Sequence, residues 1–345
     1  MMLSGVPIPH IDIYQPKHYI CHRAAGGLEL DGRLDKPFWD QAEWTDKFVD
    51  IEGDLRPAPA KDTRVKMLWD DEYFYFGAEL WEDQIWATLS ERDSVIFYDN
   101  DFEIFIDPDG DSHGYYEFEI NALNTVWDLL LIKPYRDGGP PLDSWDLKGL
   151  KTAVYIDGEL NRPEGINRKW SVEVAIPWTS LKECAKEKRA PLPGEFWRVN
   201  FSRVEWQTEV VDGNYRKIMD PATGKPYPED NWVWSPMGLV NMHYPELWGY
   251  VVFAGEDGHD NFVLPQDERI KWELRKLYYL QRNYREKNGT FTQDLSLLGW
   301  ISEVEVHPEV YAATSLFQIS AATADGTGRW SIREDGNLWE ERDTK

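Results

Sequence analysis

The sequence predicts a mainly β protein: an antiparallel β-sandwich of jelly-roll-like type, followed by a C-terminal helix and a β-hairpin. Three observations carry this. Short segments of alternating apolar and polar residues dominate from about Leu28 to Phe253, Asp, Gly, Pro and Asn separate them, and helical periodicity is nearly absent before Gln266. The expected divisions are an N-terminal extension over 1–27, the sandwich over 28–253 and an appendage over 254–345.

Val65, Met67 and Trp69 share one parity, and after the Asp70-Asp71 turn Phe74, Phe76, Ala78 and Leu80 share the next, which predicts two strands of a hairpin or meander. Phe102, Ile104 and Ile106 then alternate with Asp101, Glu103, Phe105 and Asp107. Tyr116, Phe118 and Ile120 alternate with Tyr115, Glu117, Glu119 and Asn121, so both strands have one apolar and one largely polar face. Trp170, Val172, Val174 and Ile176 predict a strand ending at Pro177, and Trp197, Val199 and Phe201 another after Pro193-Gly194. Ala254-Gly255-Glu256-Asp257-Gly258 reads as a linker. Ile270, Leu274, Leu277 and Tyr278 stand at helical spacing within a helix expected over 266–287, Tyr284 extends the stripe, and Asn288-Gly289 is its stop signal. This amphipathic helix is expected to dock on the sandwich. Alternation resumes from Leu316 to Trp339, with 324–328 as the turn of a hairpin.

The chain of 345 residues carries 37 Lys and Arg against 62 Asp and Glu, a formal charge of −25. Such a surface repels phosphate backbones and excludes nucleic acid as a partner. A hydrophobic fraction of 42% with 14% aromatics is ample for a folded core. No run approaches the ~18 to 20 apolar residues of a membrane span, and the first twenty residues lack the hydrophobic segment of a signal peptide. Cys21 and Cys184 stand alone, without zinc-type spacing, leaving at most one disulfide. Among 18 Trp and 17 Tyr, burial accounts for most; the alternative for those set among polar groups is a stacking platform.

The most informative stretch runs from Asp99 to Asp111 and on to Asn121. If a loop over 108–114 closes a hairpin, Glu103 faces Glu119 and Asp101 faces Asn121. Opposed carboxylates repel, so a cation, a shared proton or a hydrogen-bonding ligand must compensate, unless a neighbouring Arg or Lys neutralises them in water. Asp107, Asp109 and Asp111, with Gly110 between, offer hard oxygen ligands for a structural Ca²⁺, or form a solvated Asp-rich turn. No helix-loop-helix calcium motif and no organic cofactor are indicated.

These segments also carry a resemblance. Leu28 to Trp39, the Leu68-Trp69-Asp70-Asp71-Glu72-Tyr73-Phe74-Tyr75 turn, the Asp101–Asp107 strand, Trp170 to Trp178, Trp197 to Arg203 and Trp232-Val233-Trp234-Ser235-Pro236 are similar, in order, to family 9 carbohydrate-binding modules, over roughly 28–253. The resemblance implies a β-sandwich that binds glycans between two aromatic side chains, with Glu, Arg, Asn and Gln hydrogen bonds and structural calcium. It implies Glu103 as the sugar-binding glutamate, Phe97 or Tyr98 as one platform where the family often has Trp, Trp232 or Trp234 as the second, and Asn231 as a polar companion. Arg203 is a hydrogen-bond partner for sugar or for Glu103, or else an ion pair closing a strand end; Glu119 and Asn121 complete the ligand-binding set. It also implies a periplasmic or extracellular setting.

A sugar ring offers a C–H face that stacks on aromatics and a rim of hydroxyls that suits carboxylates and guanidinium groups, so an aromatic and acidic chain favours neutral glycans of the plant cell-wall type. Non-catalytic binding is the expected function, with a partner protein reached through the appendage. The alternative is a glycoside hydrolase using Glu103, Glu119 or Asp101. No Gly-x-Ser-x-Gly elbow, phosphate loop or His-Glu-x-x-His helix is present. His113 and His243 read as surface or capping residues, and Met67 as core rather than a haem ligand.

Overall fold

The computed structural model describes residues 5–255 and 261–342. The chain is mainly β, as expected. Alternation makes strands that bury one side, and a single curled sheet of thirteen strands uses them. From one edge to the other its path runs Pro141–Leu142, Val126–Leu131, Tyr115–Asn121, Asp101–Asp107, Phe196–Glu205, Gly249–Phe253, His18–Arg23, Thr63–Trp69, Tyr73–Trp81, Lys169–Pro177 and Lys151–Asp157, with Asp230–Val233 and Val49–Asp50 branching from Phe196–Glu205. The two halves face each other across one core. Phe102, Ile104, Phe118, Val199 and Phe201 of one half meet Val65, Met67, Phe74, Phe76, Val172 and Val174 of the other.

The sheet is not wholly antiparallel. His18–Arg23 pairs in parallel with Gly249–Phe253 through its first residues and with Thr63–Trp69 through its last, so it carries the sheet around the corner. It lies within the residues read as an N-terminal extension; its Tyr19 and Cys21 alternate into the core. Cys21 and Cys184 are both free.

The helix Gln266–Asn288 appears where expected, ended by Gly289 in the left-handed conformation at φ 77°. Its stripe Ile270, Leu274, Leu277 and Tyr278 is buried. The expected hairpin, Phe317–Ala322 with Gly328–Arg333, is the centre of a four-stranded meander completed by Glu309–Ala312 and Leu338–Arg342. Helix and meander pack on the outer face of the sheet, where Phe105, Tyr115, Leu129, Leu131 and Trp248 form a second core with Leu274, Leu277, Tyr278 and Ile319. Buried polar contacts pin the helix. Arg282 Nη1 lies 2.6 Å from Asp137 Oδ1, Tyr278 donates to the same oxygen, and Arg198 pairs with Glu268 at 3.1 Å. The linker residues Glu256, Asp257 and Gly258 lie outside the described residues. No helix among the described residues is long and apolar enough to cross a membrane.

Candidate functional site

The hairpin of Asp101–Asp107 with Tyr115–Asn121 has the expected register: Glu103 opposite Glu119, Asp101 opposite Asn121. The alternative of a solvated face neutralised by a neighbouring Arg or Lys does not hold. Segments distant in sequence cover it, and Asp101, Glu103, Glu117 and Glu119 are all buried, Asp101 with 0% exposure. What remains open is a cleft of about 280 Å³ lined by Glu103, Glu117, Glu119, Glu229 and Asn231, with Phe97, Phe105, Val204 and the loop residues Val240, Asn241, Met242 and His243.

Its electrostatics are one-sided. Burial holds Asp101 well above the usual carboxylate range, and the charge of Glu103 adds to this. Burial pushes Glu103 up to about 7, with Glu229 contributing, and Glu117 and Glu119 are raised by burial and then by Glu103. Phe97 N donates to Glu119 Oε2 at 3.0 Å, and Val204 N approaches Asp101 Oδ1 at 3.4 Å. Asp101 Oδ2 is buried and has no hydrogen-bond partner among the described residues.

Further aromatics gather around Phe97 and His243, two residues of the lining. Phe97 is half-buried, Tyr98 is 56% exposed and meets it edge-on at 4.9 Å. Trp127, which pairs with Glu119 across the sheet, lies 6.3 Å from Phe97, and exposed Tyr135 meets His243 at 4.5 Å. Trp206 donates from its indole to Phe97 O at 2.8 Å, and Lys217 sits 3.3 Å over its ring. Burial lowers Lys217 to about 8.

The other residues singled out from the sequence lie elsewhere or are already occupied. Asn121 uses its whole amide, donating to Leu89 O and Asp99 Oδ2 and accepting from the Leu123 and Thr125 amides, so it has no capacity for a ligand. Arg203 is a strand-end ion pair, not a partner of Glu103. All five of its N–H groups are taken, by Glu205, Thr63, Trp81 O and Glu82, with Lys61 bridging the same two glutamates. Trp232 and Trp234 are core residues: Trp232 is 5% exposed, and Trp234 is 1% exposed and packs on Phe201. Asn231 does reach the cleft. His243 is half-buried in the wall of the cleft; its Nδ1 is 2.9 Å from the Tyr115 hydroxyl, and burial followed by the Arg136 charge lowers its pKa to about 3. His113 pairs with Asp335 O at 2.9 Å, and Met67 is fully buried.

Sequence reasoning passed over Glu117, Glu229, Trp127, Trp206 and Tyr135. Glu117 shares the parity of Glu119 and was legible as its neighbour on the same face; Trp127 followed from the next strand. The loop residues had no periodic signal.

A second group lies at the other end of the same strand. Asp107, Asp109 and Asp111 bring one carboxylate oxygen each within 4.8 Å of one another. Asp107 accepts from the Gly110 and Ser112 amides at 3.0 Å each, and Asp111 from the His113 amide and from Asn337 Nδ2. Asp109 Oδ1 is buried without a partner among the described residues. Burial and mutual repulsion raise all three to about 7.

The geometry defines a curled β-sandwich with an acidic, aromatic-rimmed cleft on its outer face. Residues 30–195 match the family model described as carbohydrate family 9 binding domain-like, and over that segment the resemblance to family 9 carbohydrate-binding modules stands. The solved structure of a candidate carbohydrate-binding protein from Bacteroides uniformis ATCC 8492 shares the fold, at 17% identity and a TM-score of 0.51, covering 69% of this chain and 100% of its own. A family 9 module from Caldicellulosiruptor kristjanssonii, solved with cellotriose and with glucose, matches at 17% identity and a TM-score of 0.44, covering 72% of this chain and all of its own. No functionally curated protein matches the chain.

Proposed function

We propose that the cleft binds a neutral glycan without cleaving it. One observation carries the reading: inside the segment matched to a carbohydrate-binding family, Glu103 opens into a cleft lined by Phe97, against whose ring Tyr98 and Trp127 lie. A sugar ring lays its C–H face on such rings and directs hydroxyls at the carboxyl groups below. Three of those groups, with pKa values raised by burial, act as donors or acceptors toward a hydroxyl without presenting full charge. A panel of plant cell-wall oligosaccharides, titrated by calorimetry and followed by product chromatography, tests this. Saturable binding without new products is expected, and Glu103→Gln lowers the affinity at least tenfold with an unchanged circular dichroism spectrum; unaltered affinity removes Glu103 from the site.

The same assay reads out hydrolysis. New products would instead make Glu103, Glu119 and Asp101 the catalytic candidates of a glycoside hydrolase on the same sandwich.

The Asp107, Asp109 and Asp111 group suits a structural Ca²⁺, since its donors are all hard oxygens and one of them is buried and unpartnered. There the ion would hold the loop 108–114 and, through Asn337 on Asp111, tie it to the meander.

A further inference from the structure

The floor of the cleft presents a charge problem distinct from that of the 107–111 loop. Asp101 and Asp107 are six residues apart on one extended strand, about 20 Å. Asp101, Glu103 and Glu119 each bring a carboxylate oxygen within 4.8 Å of the others. Asp101 is wholly enclosed and its Oδ2 has no partner among the described residues. Leaving an ionised carboxylate buried and uncompensated costs several kcal/mol.

Among the described residues none of the three forms an ion pair, and the nearby cations are engaged. Arg203 spends all its donors on the opposite side of the strand. Lys61 is held by Glu82 and Glu205, and Lys217 lies over the Trp206 ring. Among the described residues no side chain neutralises the group, which leaves a shared proton or a cation from solvent.

We propose that Asp101, Glu103 and Glu119 hold a divalent cation of the calcium type at the base of the cleft. An all-oxygen, all-carboxylate donor set selects a hard cation rather than zinc or copper. Three carboxylates exceed the charge of one divalent ion and supply fewer than the six to eight oxygens that calcium takes, so its shell is completed from the cleft side. On the reading of the cleft as a glycan site, which this extension rests on, vicinal sugar hydroxyls supply those oxygens.

Calorimetric titration of Ca²⁺ into chelator-stripped full-length protein tests the site, with Asp101→Asn, Asp109→Asn and the double variant. Asp109→Asn protein is expected to keep a Ca²⁺ site that weakens at least tenfold in the double variant. Should Asp101→Asn fail to fold, Glu103→Gln in the Asp109→Asn background gives the same readout. Equal stoichiometry and affinity in wild type and Asp101→Asn would overturn the proposal. Glycan titration with Ca²⁺ and with chelator separates the two readings. Chelator-insensitive glycan binding overturns the cation's part in recognition and leaves the glycan site standing. Ca²⁺ binding at the cleft with no glycan bound keeps the cation site and overturns the glycan reading.

Discussion

Tyr98 and Trp234 show how aromatic side chains serve opposite ends of a protein. Tyr98 leaves 56% of its surface open at the rim of the cleft, whereas Trp234 is closed in the core against Phe201. Tyr98→Ala should weaken glycan binding at little cost in stability; Trp234→Ala should cost about 3 to 5 kcal/mol from the cavity it leaves. Denaturant melts and calorimetry on both variants separate the two effects, and a destabilised Tyr98→Ala protein would put Tyr98 in the core. His243 gives a pH-dependent prediction. Burial and then the Arg136 charge hold its pKa near 3, below the ~6.5 of the unfolded chain. Its contribution to stability is therefore full above pH 6.5 and is lost as the pH falls toward the folded value, by at most about 1.4 kcal/mol per pH unit. His243→Gln should flatten the acid limb of the stability curve relative to wild type, as read by denaturant midpoints between pH 4 and 7. Parallel curves would show that His243 titrates normally.

At the scale of elements, the strand Gly249–Phe253 depends on close approach. A Cβ on Gly249 would stand 2.4 Å from the Trp234 ring, so Gly249→Ala should destabilise by about 1 to 3 kcal/mol through overpacking; an unchanged thermal midpoint would mean that Trp234 can move. The strand Asp101–Asp107 is the element on which sequence and structure meet. Its register with Tyr115–Asn121 followed from period-2 alternation and a loop length, both local properties. Its burial did not, because the cover over the polar face comes from Asn231 on the strand Asp230–Val233, from the loop residues Val240 to His243 and from Phe97 ahead of it. Arg203 failed as a ligand for a related reason: strand parity turned it away from Glu103, onto Glu82 and Glu205.

At the scale of the whole molecule, the C-terminal helix and meander share a core with the outer sheet face. The helix also braces the loop that walls the cleft. Tyr279 and Arg136 both bind Glu246, and Arg136 donates to His243 O at 2.9 Å. A chain ending at Gly255 would expose Phe105, Tyr115, Leu129, Leu131 and Trp248, a contiguous apolar face. Such a truncation should aggregate or lose its cooperative melt, and size-exclusion chromatography distinguishes this from a soluble monomer, which would show that the sheet stands without its cover.

The alternation of Val65 to Leu80, Asp101 to Asn121 and Trp170 to Phe201 determined the strands and the facing of Glu103 on Glu119. The stripe from Ile270 to Tyr284 determined the helix, because side-chain periodicity is a property of the local backbone. Only the tertiary structure decided which aromatics stay open, that Asn121 is consumed by its own turn, and that four carboxyl groups share one cleft. The burial of the cleft depends on solvent exclusion by Asn231 and the loop at 240–243, a hundred or more residues away, and exclusion from water is a property of the assembled surface that no local pattern encodes.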